Sequence, residues 1–272
     1  CKRFALDLDW DAIAAQFSVA KEDVRGDFSP ALDNIAPTQD IAVIAQGKDG
    51  HRHLTGAYWS LIPSWSPGKT LPYPTYNARV ESAHVKSTFA ESTRSRRTII
   101  PASGYYEWKG RRPFYFSPEM ESTALAMAGL IVAAAFRGIP MAADGDDSHV
   151  PAVDGPATVH DRMPLLVPAG MTSEWLDPSI DGARLLAPMR KASAELSARL
   201  HFHESLRRGD GPSLIRPINR EEPMRLFSSA ADRRFFPDTV ERTAGTGSLR
   251  RQAEPRRTTE PRVDERNRRL RP

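Results

Sequence analysis

The chain has 272 residues, with 38 Lys and Arg against 34 Asp and Glu for a formal net charge of +4, and 40% of its side chains are hydrophobic. The most apolar run, 124–136, stops at Arg137 and falls short of the roughly 20 residues a membrane helix needs, so a membrane-spanning protein is excluded by expectation. One cysteine, Cys1, leaves no disulfide within the chain, and the opening Cys-Lys-Arg-Phe-Ala-Leu-Asp lacks a secretory pattern, so a reducing cytoplasm is the expected compartment.

Residues 10–17 place Trp10, Ile13, Ala14 and Phe17 on one helical face and predict a short amphipathic helix. Strand-like runs bounded by Pro, Gly and Asn turns follow at 41–46, 56–62 and 98–101. Between the last two, 81–95 is mostly polar with Val85 and Phe89 four apart, and is predicted helical. Further strands are predicted at 114–116, 124–132 and 165–167, then a helix at 172–176 with Thr172 as N-cap. Strands dominate without alternating regularly with helices, which predicts an α+β fold rather than a parallel α/β sheet.

Two stretches are poor in large apolar side chains. Residues 142–155 read as a long loop, reaching to about 156. From Glu241 onward Leu249, Val263 and Leu270 stand alone among Arg, Glu, Pro, Thr and Gly, too little apolar surface to offset the entropy of ordering. One domain over 1–230 and a disordered basic tail over 231–272 are therefore expected.

Cys1 carries the most chemistry. As a free terminus it presents an α-amine with a reference pKa of about 7.7–8.0 beside a thiol of about 8.5, so both have a nucleophilic fraction at neutral pH. The amine attacks an aldehyde to give an imine, and the thiol closes on the imine carbon as a five-membered thiazolidine. A chance or trimmed terminus accounts for the residue equally well. Farther along, Asn34-Ile35-Ala36-Pro37-Thr38-Gln39 and Leu61-Ile62-Pro63-Ser64-Trp65 are turns, and an exposed Trp65 would offer a stacking platform to an unpaired base. Asn77, Arg79 and Glu81 alternate, so an extended chain would project all three from one face; that suits phosphate binding, and equally a solvated strand with one ion pair. Glu107 sits between aromatics in Ser103-Gly104-Tyr105-Tyr106-Glu107-Trp108, where burial would fit it for proton transfer and an edge strand would leave it in water. His160 in Val159-His160-Asp161-Arg162-Met163-Pro164 is a candidate proton shuttle or a structural histidine. The pairs His51/His53 and His201/His203 have the spacing of two metal ligands but no third, so no metal and no cofactor is expected.

Taken in order, these segments resemble the SRAP domain family, the abasic-site processing proteins that shield damaged single-stranded DNA. The resemblance rests on Cys1 with Arg3, the segments at 34–39 and 61–65, Asn77-Ala78-Arg79 with Glu81, Pro101 to Trp108, and His160-Asp161-Arg162-Met163-Pro164, and it covers 1–178, weakening after 178. It implies a single SRAP-like domain of curved antiparallel sheets with a few flanking helices, acting in the DNA-damage (SOS) response. It also implies a covalent thiazolidine crosslink from Cys1 to the ring-opened abasic sugar, with lyase-type activity and autoprocessing peptidase removal of the initiator Met. Asn77 would hold the terminal residue and the opened sugar, Glu107 would move protons during imine formation and reversal, and His160 would help open the sugar. Arg3, Arg79 and Arg162 would grip phosphates, and Pro37 and Trp65 would wedge against bases. The expected partner is single-stranded DNA containing abasic sites, with no membrane, and the expected state is a monomer.

Lys2 stands where the family has Gly after the cysteine, and Ser60 replaces a Gly before Leu61. The poor loop at 142–155 occupies the place of a Thr- and Ile-rich strand expected to anchor His160. Two other readings stay open: an N-terminal-nucleophile cysteine amidohydrolase, and a degenerate, noncatalytic module for single-stranded DNA.

Overall fold

Asp9 opens the first helix, its carboxylate accepting the N–H groups of Asp11 (2.8 Å) and Ala12 (3.3 Å). That helix, α1 (Trp10–Gln16), buries Ile13 and Ala14, as the apolar spacing predicts. The computed structural model to which it belongs describes residues 2–25, 32–66, 71–132, 137–144, 159, 162–205, 215 and 217. The chain divides into two units, Cys1–Glu221 and Glu222–Pro272, and the second lies outside the described residues together with the predicted tail.

Sheets dominate, with a few short helices, so the α+β class holds. Five strands form the centre of the larger sheet, β4 (Asp40–Gln46), β5 (Arg52–Trp59), β7 (Arg97–Ala102), β10 (Leu125–Val132) and β11 (Arg137–Asp144), with β-branched residues concentrated in β4 and β7. The sheet order runs β11-β10-β7-β4-β5, and β11 pairs again with β5 in parallel at Arg137↔Tyr58 and Gly138↔Trp59. This pairing closes five strands into a barrel and leaves no open edge among them. Every residue of β10 is buried, which explains its unbroken apolar sequence. Around the ring, β2 (Val24–Arg25) adds to β5, and β6 (Ala78–Arg79) and β12 (Arg162–Pro164) add to β11.

The second sheet has the order β13-β9-β8-β1-β3, comprising β1 (Arg3–Leu6), β3 (Leu32–Ile35), β8 (Gly104–Lys109), β9 (Arg112–Ser117) and β13 (His201–Glu204), all antiparallel. Ser103 is the corner between β7 in the barrel and β8 here: its N–H donates to the Ala5 carbonyl and its Oγ accepts the Asp7 N–H at 2.6 Å. Gly104 is required by close approach, since a Cβ there would stand 2.4 Å from the Phe116 carbonyl oxygen and 2.4 Å from the Tyr115 ring. One apolar core joins both sheets, with Phe4 of β1 against Trp59 of β5, centroids 5.3 Å apart.

Several expectations are corrected. The sheets are not all antiparallel, because β5, β6 and β2 make parallel pairings. The strand predicted at 56–62 is β5 and ends at Trp59, where Ser60 turns the chain. The strand predicted at 165–167 reduces to one bridge, Leu166 with Met127, because the ladder to β11 is made earlier, by β12. The helix predicted over 81–95 is two, α2 (Val80–Ala83) and α3 (Ala90–Ser95), separated by turns. Thr172 does not cap α4 (Thr172–Leu176) but is its first residue, its hydroxyl reaching the Pro168 carbonyl at 3.4 Å. The loop read from 142 begins as strand, since Ala142, Ala143 and Asp144 belong to β11, and 145–158 lie outside the described residues. A further helix, α5 (Leu186–Ser197), was not predicted.

Arg97, on β7, is buried and holds carbonyls from two helix ends. Its Nε donates to Trp175 (2.7 Å), its Nη1 to Thr93 (3.2 Å) and Arg94 (2.5 Å), and its Nη2 to Ile180 (3.0 Å) and to the Asp177 carbonyl. The guanidinium also lies over the Trp175 ring at 5.7 Å. Burial lowers its pKa from the usual arginine value, opposed by Asp177 and Asp181.

Candidate functional site

The site assembles where the two sheets meet. Arg3 pairs with Tyr106 and Phe4 with Tyr105, so the beginning of β1 runs beside Glu107, one residue past Tyr106 on β8. β8 is the central strand of its sheet, and Glu107 is 5% exposed, which removes the edge-strand reading. Alternation sends Tyr105 and Glu107 to one face of β8 and Tyr106 and Trp108 to the other. On that other face Tyr106 donates its hydroxyl to the Asp33 carbonyl at 2.7 Å, and burial, reinforced by Asp33, keeps the phenol protonated.

Arg3 is half-buried and its Nη1 donates to Asn34 Oδ1 at 2.5 Å, tying β1 to β3. From Asn34 the chain enters the Pro37 turn, closed by the Ala36 N–H on Gln39 Oε1 (2.7 Å) and the Gln39 N–H on the Ala36 carbonyl (3.3 Å). Thr38 takes φ of 73° there, the left-handed region. Pro37 is half-buried at this tip.

Trp59 joins these parts, and sequence reasoning missed it. Fully buried, it packs on Phe4, accepts the Thr38 N–H on its carbonyl (3.0 Å), and donates Nε1 to the Tyr76 carbonyl (2.7 Å). One residue thus joins β1 and the residue before Asn77 through its ring, and the Pro37 turn through its backbone. Its only sequence signal is a place within the strand-like run at 56–62.

Asn77 is half-buried at the entrance to β6, and Arg79 is exposed. The three residues expected on one extended face do not share one, because helix α2 begins at Val80 and places Glu81 in its first turn. Arg79 pairs with Ala142 of β11, and Ala142 pairs with Pro164 of β12. Asp144 pairs with Arg162, so β11 places Arg79 and Arg162 on strands either side of it and anchors the segment that begins at Arg162. Cys1 and His160, with Asp161, lie outside the described residues.

Trp65 is 55% exposed, as a stacking platform requires, and its Nε1 donates to the Ser87 carbonyl at 3.3 Å. Tyr73 is the exposed aromatic that sequence reasoning passed over; its hydroxyl lies 3.2 Å from Thr88 Oγ1. Both rings therefore sit on the 84–88 turn, and only tertiary contact brings them together. Among the described residues no group of three His, Cys, Asp or Glu side chains forms a metal site. His51 and His53 instead face Asp23 at 3.1 Å each, and His53 also faces Asp49 at 3.0 Å. No helix among the described residues is long and apolar enough to cross a membrane.

The family model described as SOS response associated peptidase (SRAP) matches residues 1–203. The chain belongs to the SRAP family. Among curated SRAP-like relatives, it is 33% identical over 184 residues to the abasic site processing protein YoaM of Bacillus subtilis, covering 65% of this chain and 79% of the relative. It is 29% identical over 154 residues to the abasic site processing protein YedK of Escherichia coli, covering 55% of this chain and 66% of the relative. The fold matches a crystal structure from Bacteroides thetaiotaomicron with a TM-score of 0.58 at 16% identity, over 80% of this chain and all of the other. A Bordetella bronchiseptica structure matches with a TM-score of 0.55 at 20% identity, over 76% of this chain and all of the other.

Proposed function

We propose that this SRAP protein processes abasic sites in DNA, capturing the ring-opened sugar aldehyde through Cys1 as a thiazolidine. The observation that supports it most is the β1–β8 register: Arg3, two residues after Cys1, pairs with Tyr106, so the buried Glu107 carboxylate lies beside the beginning of β1. The relatives' names point to the same substrate. An abasic site has no base edge to read, so recognition falls to phosphate charge, stacking on neighbouring bases and capture of the aldehyde. Arg79 and Arg162 supply charge on strands flanking β11, Arg3 adds a third cation on β1, and Pro37, Trp65 and Tyr73 supply surfaces for unpaired bases. Asn77 holds the opened sugar, and His160 assists ring opening. Single-stranded DNA is the preferred form, the protein acts as a monomer in the cytoplasm, and residues 231–272 form a basic tail after a domain over 1–230.

In the proposed reaction the α-amine of Cys1 adds to the aldehyde carbon and water leaves to form the imine. The thiolate then adds to that carbon and the imine nitrogen takes a proton, closing the ring. Glu107 accepts and returns protons through these steps. The test is a denaturing gel after incubation with single-stranded DNA carrying one abasic site. A heat-stable slow species is expected, absent when an alkoxyamine first caps the aldehyde. Binding with no such species overturns the capture step, and turnover of a small amide without an adduct assigns Cys1 to an amidohydrolase instead.

Two substitutions separate the roles. Glu107→Gln is expected to slow crosslinking or its reversal by about 10²-fold or more while DNA affinity stays within a few fold; a large loss of affinity would make the residue structural. Arg79→Ala is expected to weaken binding to all sequences alike and to reduce the slope of log K against log salt by about 0.7, the single-strand value for one phosphate contact. An unchanged slope would remove Arg79 from the phosphate contacts.

A further inference from the structure

The beginning of β1, the end of β3 and the turn between β8 and β9 lie at one end of the second sheet. β1 runs antiparallel to both neighbours, with Arg3 opposite Tyr106 and Phe4 opposite Ile35, so stepping back from Arg3 moves along β8 toward Lys109 and along β3 toward the Pro37 turn. β1 therefore stands between the two, one strand spacing of about 4.8 Å from each neighbour. The β8–β9 turn is a two-residue hairpin, Gly110-Arg111, closed by the Lys109↔Arg112 pair, and Gly110 takes φ of 62° as such a turn requires. Lys109, Arg111 and Arg112 place three cations at this tip. Arg112 is held by Glu204, its Nε donating to Oε1 at 2.9 Å, and lies over the Phe114 ring at 5.6 Å. Lys109 and Arg111 are exposed and have no acidic partner among the described residues, and Lys2, just before β1, is exposed likewise.

Alternation puts Lys109 on the face of β8 that carries Glu107, two residues and about 7 Å farther along. That face thus passes from a buried residue, Glu107, to an exposed ammonium at the end of the sheet. We propose that the β8–β9 hairpin tip is a phosphate-binding site, at which Lys109 and Arg111 hold the DNA strand on the side of the abasic nucleotide away from Pro37. Arg3 is tied to Asn34, on the Pro37 side of β1, and Arg79 and Arg162 stand on strands of the larger sheet. A DNA strand crossing the sheet end from Pro37 over the beginning of β1 meets Lys109 and Arg111 next. Its phosphates recur at every nucleotide whatever the sequence, so such contacts position the strand without reading it. An ammonium and a guanidinium with no carboxylate partner suit that ligand, because neither must break an ion pair to take a phosphate.

This inference rests on the binding of abasic DNA at the beginning of β1 proposed above, and DNA that cannot be captured tests it. Affinity is measured by fluorescence anisotropy over a range of salt for single-stranded DNA carrying a tetrahydrofuran analogue of the abasic site, which has no aldehyde. The double variant Lys109→Gln/Arg111→Gln is expected to reduce the slope of log K against log salt by about 1.4, two phosphate contacts at about 0.7 each. Lys109→Arg/Arg111→Lys is expected to keep the parent slope, since both charges remain. On strands that end at the analogue, the Gln variant is expected to differ from the parent for one end and to match it for the other, because only one flank reaches the hairpin. A slope unchanged by the Gln variant overturns the hairpin site, and a fall for Arg79→Ala in the same assay leaves the proposed function standing. An equal deficit on both truncated strands overturns the placement on one flank. If the Gln variant lowers the slope while the parent forms no heat-stable adduct with a natural abasic site, capture by Cys1 fails and the hairpin site holds.

Discussion

Cys1→Ala is expected to abolish the heat-stable DNA adduct entirely, the largest effect of any single substitution. The variant keeps an α-amine, so an imine with the abasic aldehyde still forms, but nothing remains to close the ring. An imine hydrolyses on heating in water, whereas a thiazolidine holds the same carbon by both nitrogen and sulfur. Borohydride reduction before the gel should therefore restore a slow species for Cys1→Ala, while the parent gives one without reduction. That contrast separates the sulfur's role from the nitrogen's. A heat-stable adduct from Cys1→Ala at the parent's yield would sink the thiazolidine mechanism. Mass spectrometry of the protein isolated from cells is the companion measurement, because a blocked or Met-extended Cys1 has no free amine to react.

The second large effect concerns the fold. Arg97→Met is expected to cost about 3–5 kcal/mol, because buried carbonyls left without a donor cost about 1–3 kcal/mol each. Met fills most of the volume, so the loss is that of the donors rather than of packing. Five carbonyls, on Thr93, Arg94, Trp175, Asp177 and Ile180, lose their guanidinium donor together. The bonds to Thr93 and Trp175 are buried and the other three part-buried, and unpaired buried carbonyls are costly. At about 2–4 °C per kcal/mol for a domain of this size, the thermal midpoint should fall by roughly 6–20 °C. Arg97→Lys should fall between the two, because an ammonium cannot reach both helix ends at once. A midpoint within a degree of the parent for Arg97→Met would show that the carbonyls find other partners.

These two residues differ in how visible they were. Cys1 was legible as a candidate nucleophile from sequence, because a thiol is a property of its residue alone. Arg97 gave no signal: it sits in a run of Arg94, Arg96 and Arg97 that reads as a solvated helix end, and only the packing of α3 and α4 against β7 draws one of the three inside. Glu107 stood between. Its aromatic neighbours were legible, but whether it lay at a wet edge or in the core depended on β1 arriving from a hundred residues away to make β8 a central strand.

What the sequence determined by itself was set by near neighbours. Asp9 and the Trp10, Ile13, Ala14 spacing specify α1, and the apolar runs specify β4, β7 and β10, since capping and alternation act over a few residues. Helix α5 escaped notice for the same kind of reason, since its buried face is carried partly by Ser193 and Ser197 and Pro188 in its first turn reads as a breaker. The ordered motifs likewise specified the family. Tertiary structure alone decided the closure of the barrel through β11 and β5, the role of Trp59 as the joint of β1, the Pro37 turn and Tyr76, and the burial of Glu107 on the central strand β8. Each depends on strands brought together from distant parts of the chain. Burial and hydrogen-bond partnership are properties of such an assembly, and no local pattern of side chains can carry them.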